Sequence, residues 1–230
     1  PVRHPLRRDP AGEAYEPFHD VQVMVQGEVA RALSEVFRTR WERAACGELP
    51  PMAPAGTGEA PAWPEGLFPD FQDLPVGIAR TMPSVYGDPE VREIERAHFE
   101  LIERAEHTLY IENQFLSCLP IARAIGERLR ARPELRVLVV SQQRCKGRME
   151  ELAMGRGRAR FMHLLRPYIE QDRVRFVYPL SRSGGEQAAV KLHAKMLIVD
   201  DRRLMVGSAN LSHRTMGFDS EANLIVEATR

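Results

Sequence analysis

A histidine and a lysine two residues apart, His193 and Lys195, sit inside the apolar run VKLHAKMLIVD (190–200). On a strand, residues two apart share a face at a spacing of roughly 6.5–7 Å, so imidazole and ammonium together form a concentrated cationic patch. Such a pair suits a phosphate ester. The ammonium neutralises non-bridging oxygens as a point charge, and the imidazole attacks phosphorus or moves protons near neutral pH. Asp200, Asp201 and Arg202 then read as a turn, after which Leu204 to Val206 returns antiparallel. That return brings Gly207, Ser208 and Asn210 beside the level of His193, where glycine allows close backbone approach and serine and asparagine offer hydrogen bonds to phosphate oxygens. Each piece alone is ordinary strand, turn or loop chemistry. The filled spacing H-x-K-x4-D-x6-G-S-x-N is what carries the reading.

The elements that must position these groups follow from hydrophobic period. DVQVMVQ (20–26) alternates as a strand, ended by Gly27, and Glu28 to Ala45 carries apolar residues at helical spacing. Residues 46–75 shift to Pro, Gly and Ala without a period and read as a linker or long loop. From Val76 onward element types alternate. Asp88 and Pro89 are expected to cap and open a helix with Val91, Ile94, Leu101, Ile102 and Ala105 inward; TLYIE (108–112) is a strand, and Pro120 opens the next helix. LRVLVVS (135–141) is a buried strand, Met149 to Gln171 is helical in pattern, and strands are expected at 173–178, 190–200, 203–207 and 223–228. Strands alternating with helices predict an α/β fold with a helix-covered sheet.

Bulk properties weigh against some classes. The 230 residues hold 32 basic and 32 acidic side chains, so the net charge is zero and no overall basic field draws the chain to nucleic acid or anionic lipid. Three cysteines, widely spaced and without metal-ligand spacing, suit a reduced compartment. No apolar run reaches the length of about 20 residues that crosses a bilayer. The expected placement is therefore cytoplasmic or peripheral to a membrane. The opening stretch, without an initiator methionine and rich in Arg and Pro, reads as part of something longer.

His193, Lys195, Asp200, Gly207, Ser208 and Asn210 together match the HKD signature of the phospholipase D superfamily. PFHDVQVMVQG (17–27), YIENQFLSC (110–118) and HRTMGFDSEANL (213–224) also resemble stretches of its phospholipase D branch. The resemblance implies an α/β fold with a phospholipase D-type mixed β-sheet flanked by helices on both faces. It also implies a domain plan: residues 1–45 trailing from a preceding HKD half, 46–75 linking, and 76–230 forming the second HKD catalytic domain. One active site is then built from two motifs, of which this stretch holds one. The companion is expected upstream in the same precursor, an arrangement favoured by the match of 17–45, or in a second copy.

Further expectations follow from the resemblance. Catalysis passes through a phosphohistidine, with His193 as general acid and base, Lys195 and Asn210 on the non-bridging oxygens, Ser208 and Gly207 in support, and Glu221 accepting a hydrogen bond from an imidazole. Asp200 anchors its turn. Glu112, Asn113 and Gln114 end a strand where α/β sheets place ligands, and read either as a capped loop or as a pocket wall beside the phosphate. His19 and Asp20 read as a hydrogen-bonded pair holding the two halves together, and the basic run 155–166 reads as a solvated helix face. His4, His98, His107 and His163 read as surface or helix residues. No metal and no cofactor is demanded. The expected partner is a phospholipid at a membrane surface, with nucleic acid not expected; the reaction is phospholipase D hydrolysis or transphosphatidylation, with a cardiolipin synthase-type phosphatidyltransferase, an HKD-family nuclease or a non-catalytic lipid-binding module as alternatives.

Overall fold

A computed structural model describes residues 7–44, 47–52, 63–84, 87, 89–143, 155–183 and 185–228. Among them an eight-stranded mixed sheet carries the fold. Its strands are β2 (Val76–Met82), β3 (Val91–Arg92), β4 (Thr108–Asn113), β5 (Arg136–Val140), β6 (Val174–Val177), β10 (Lys195–Val199), β11 (Arg203–Gly207) and β12 (Glu221–Glu227). They lie in the order β3-β2-β12-β11-β10-β4-β5-β6, with β4, β5 and β6 parallel and the remaining neighbours antiparallel. Two small ladders stand apart: β1 (Phe18–His19) with β9 (Lys191–Leu192), and the hairpin β7 (Leu180–Ser183) with β8 (Glu186–Ala189).

Helices α1 (Glu28–Arg43), α2 (Glu93–Glu103), α3 (Leu119–Ala131), α4 (Arg156–Glu170) and α5 (His213–Gly217) flank the sheet. Alternation along the strands decides where the core lies. Leu109 and Ile111 of β4, Val137 and Val139 of β5, and Leu197 and Val199 of β10 point to one face, where they meet Ile94 and Ile102 of α2, Ile121, Ile125 and Leu129 of α3, and Phe161 and Leu165 of α4. Each such side chain taken fully out of water contributes about 1.5–3 kcal/mol, so this layer is the main source of stability.

Several expected elements change. DVQVMVQ forms no strand: only Phe18–His19 pairs, because alternation alone cannot supply a neighbouring edge with free N–H and C=O groups. The helix expected to open at Pro89 starts at Glu93, since Val91–Arg92 pairs with β2 first; the cap expected at Asp88 lies outside the described residues. β2 and the 180–189 hairpin were not expected at all. Of the helix expected over 149–171, Arg156–Glu170 is helical, and 149–154 lies outside the described residues. No helix among the described residues is long and apolar enough to cross a membrane.

Candidate active site

Strand directions bring the chemistry to one end of the sheet. The C-terminal ends of β2, β4, β5, β6 and β11 lie beside the N-terminal starts of β10 and β12. Lys195 pairs with Asn113, Gly207 with Asn223, and Glu221 with Thr81, so by alternation Lys195, Asn113, Asn223, Glu221 and Thr81 share the core-side face at that end. Asp200 sits at the far end of β10, five residues or roughly 16 Å from Lys195. There its carboxylate accepts hydrogen bonds from the backbone N–H groups of Glu106 (2.8 Å), His107 (2.7 Å) and Thr108 (2.8 Å). Burial pushes the Asp200 carboxyl up, but those three N–H groups outweigh it and hold its pKa below the ordinary value.

His193 and Lys195 do not share one regular strand, which corrects the expected run over 190–200. Lys191–Leu192 pairs in parallel with Phe18–His19, and His193 N–H donates to His19 O (2.8 Å). The ladder lapses at His193–Ala194, and β10 begins at Lys195 against β4 and β11. The chain changes partners at the histidine.

His193 Nδ1–H donates to Asp20 Oδ2 at 2.8 Å, both side chains part-exposed. Burial alone would raise the Asp20 carboxyl. The His193 hydrogen bond, the Val21 N–H and the charges of His193 and Lys195 reverse that and lower it. Lys195 is buried, with Nζ donating to the His193 carbonyl (2.5 Å). Desolvation lowers its pKa, opposed by the charges of Asp20 and Glu221 and reinforced by that of Lys191. Glu221 does not reach His193. It shares a hydrogen bond with Ser208, and its pKa is raised chiefly by burial, with Asp219 adding to the rise.

The loop carrying Ser208 and Asn210 is held from beneath by two buried asparagines. Asn113 Oδ1 accepts from Leu211 N–H (3.0 Å) and Phe115 N–H (3.2 Å), and its Nδ2 donates to Ala209 O (3.4 Å). Asn223 Oδ1 accepts from Ala209 N–H (3.2 Å). Ser208 Oγ accepts from Ala222 N–H (3.1 Å), while Asn210 Oδ1 is buried without a hydrogen-bond partner among the described residues. Gly207 is obligatory here: a Cβ would stand 2.3 Å from both Ala222 O and Asn223 Oδ1.

Of the trio 112–114, only Gln114 keeps an accessible side chain. Asn113, 3% exposed, is committed to the loop backbone, and Glu112, 7% exposed, accepts from His19 Nε2–H (2.7 Å) and from the Tyr110 hydroxyl. The polar atoms of both side chains already have protein partners. His19 and Asp20 are bonded to Glu112 and His193, not to each other. Tyr110, Asn223 and buried His98 were missed as members of this neighbourhood; His98 lines a cavity of about 10 Å³ with Lys195, Asn113 and Asn223. The period-2 position of Asn223 on an apolar strand was the available signal for one of them.

Residues 99–230 match the profile of the family described as "Cardiolipin synthase, PLD-like domain". The chain belongs to the phospholipase D superfamily. Among curated relatives of this superfamily member, "Phospholipase D A" of Dictyostelium discoideum is 26% identical over 90% of the chain and 18% of its own length, and "Phospholipase D1" of Saccharomyces cerevisiae is 28% identical over 93% of the chain and 16% of its own. The chain thus spans less than a fifth of the length of these two relatives. The fold is also that of a solved phosphatidylserine synthase of Haemophilus influenzae, with a TM-score of 0.51 and 16% identity, covering 90% of this chain and 43% of that one.

Proposed function

We propose that this superfamily member supplies one half of a phospholipase D active site, cleaving or transferring the phosphodiester of glycerophospholipids at a membrane surface. The observation that carries the reading is the Asp20–His193 contact beside Lys195. A carboxylate on Nδ1–H fixes the tautomer and leaves Nε2 for the substrate, as a general acid and base requires. In the first step a companion imidazole forms a bond to phosphorus while protonated His193 gives its Nε2 proton to the departing alcohol oxygen. In the second, Nε2 takes a proton from water or an incoming alcohol, whose oxygen displaces the imidazole from phosphorus. Lys195 and Asn210 neutralise and hold the non-bridging oxygens, and Ser208 keeps Glu221 in place.

The two carboxylates suggest how the companion is received. Asp20, on the segment preceding the linker, serves the histidine of the second region. Glu221, on the second region, is half-buried with raised pKa and accepts from an imidazole supplied by the companion HKD motif, upstream or in a second copy. Phospholipase D relatives over nine-tenths of the chain support glycerophospholipid as substrate. The description of the matching family favours a second reading, a phosphatidyltransferase of cardiolipin synthase type.

The test is product analysis with the complete polypeptide on phosphatidylcholine vesicles containing a primary alcohol, and on phosphatidylglycerol vesicles. Phosphatidic acid and phosphatidylalcohol from the first support the leading reading, and diphosphatidylglycerol from the second alone supports the alternative. His193→Ala is expected to abolish product while the protein still folds. Lipid left untouched by a folded wild-type protein that cleaves DNA would refute both.

A further inference from the structure

Resting on the reading of His193 as the acid and base, we infer that Glu112 and His19 form a positioning clamp for Asp20, so the Glu112 carboxylate governs turnover without touching substrate. The segment bearing Asp20 has little backbone hold on the sheet domain: β1 is two residues long, with Lys191 N–H donating to Pro17 O (2.7 Å) and His193 N–H to His19 O (2.8 Å). A two-residue ladder is weak by itself. Residues 21–26 beyond it are in no strand, so side chains must supply the rest.

Consecutive residues of extended chain project to opposite sides, and here both sides are used. His19 reaches Glu112 and Asp20 reaches His193. Glu112 is the fixed end of this device. It lies on β4, between β10 and β5 in the middle of the sheet, and Tyr110, two residues back on the same face, donates its hydroxyl to the other carboxylate oxygen. A buried carboxylate needs its partners, so His19 is drawn to one site, and the next residue is thereby set at the imidazole. Burial and the Glu112 hydrogen bond also push the Tyr110 hydroxyl pKa up, keeping it a donor.

A clamp acting through Asp20 and a residue merely supporting the fold make different predictions in a double-mutant cycle. With the complete polypeptide on phosphatidylcholine vesicles, Glu112→Gln is expected to lower kcat by up to about 100-fold, the scale for a misplaced catalytic group, with KM within about twofold. In an Asp20→Asn background the same substitution should change kcat less than about twofold, because there is no carboxylate left to position. Melting temperatures of all variants identify any that fail to fold, and His19→Gln, which removes the other member of the pair, provides a second route to the same cycle. Equal losses in both backgrounds, or wild-type kcat in Glu112→Gln, would overturn the clamp while leaving the role of His193 intact. Wild-type kcat in His193→Ala or Asp20→Asn would instead sink the functional reading, and the clamp with it.

Discussion

Replacing Asp200 by alanine should unfold the sheet domain early while leaving its chemistry intact. The carboxylate gathers the backbone N–H groups of Glu106, His107 and Thr108, tying the turn after β10 to the start of β4, the strand with which β10 pairs. It is partly exposed, so water replaces some of what is lost, and about 1 kcal/mol per bond is the appropriate low end. Asp200 also holds φ at 51°, a left-handed conformation costing alanine roughly 1 kcal/mol more than residues that hydrogen-bond locally. The sum is about 4 kcal/mol. For a chain of this size that corresponds to a fall in Tm of roughly 8–16 °C, read by calorimetry or circular dichroism at pH 7. Asp200→Asn, which tolerates the same φ and keeps one acceptor, should lose about half as much. The pH dependence has a definite sign. A folded-state pKa below the unfolded value means that this stability is present above the unfolded value of 3.8 and is lost as pH falls through the lower, folded one. A Tm within about 2 °C of wild type, or a kcat that falls while Tm holds, would refute the assignment of Asp200 to architecture.

Two further outcomes follow from buried groups. His98 is fully buried, donating Nδ1–H to Ile94 O (2.8 Å), and burial pushes its pKa from 6.5 down to about 4. The unfolded chain takes up a proton below 6.5 while the folded one does not until about 4. Acidification across that window should therefore cost roughly 3 kcal/mol, visible in urea titrations as a falling midpoint and absent in His98→Gln. Gly207→Ala forces a Cβ onto Ala222 O and the Asn223 amide, so β11 and β12 must part; a loss of about 1–3 kcal/mol is expected in the same titrations. An unchanged midpoint in Gly207→Ala would show that the loop beyond β11 yields easily.

What was legible in the sequence was local. The i, i+2 spacing of His193 and Lys195, the turn at Asp200–Arg202 and the small residues at 207–210 all declare themselves within 20 residues, as do the apolar strands β4, β5, β10 and β11. The partners were not legible, because they are remote: Asp20 stands 173 residues from His193, and Glu112 stands 93 from His19. No period in a single sequence reports such pairs. β2 escaped notice because Gly77 and Arg80 interrupt its apolar pattern, and it exists because β12 offers it six paired positions. The trio Glu112-Asn113-Gln114 reads in sequence as a capped loop or a pocket wall, yet alternation sends Glu112 and Asn113 to opposite faces, one to the segment bearing Asp20 and the other to the loop bearing Asn210.

The expected strand over 190–200 breaks at His193–Ala194, and that break shapes the candidate site. Continued as regular β-structure, His193 and Lys195 would project to the same side. Because residues 191–193 take their hydrogen bonds from the segment at 17–19 and residues 195–199 take theirs from β4 and β11, the two side chains are decoupled. The imidazole meets Asp20 with 43% of its side chain exposed, while Lys195 is a buried residue whose ammonium is bonded to the His193 carbonyl. In the proposed mechanism the proton-transferring imidazole needs access to solvent and substrate, and the fixed ammonium charge acts more strongly where water is excluded. The seam between two ladders gives both conditions to residues two apart.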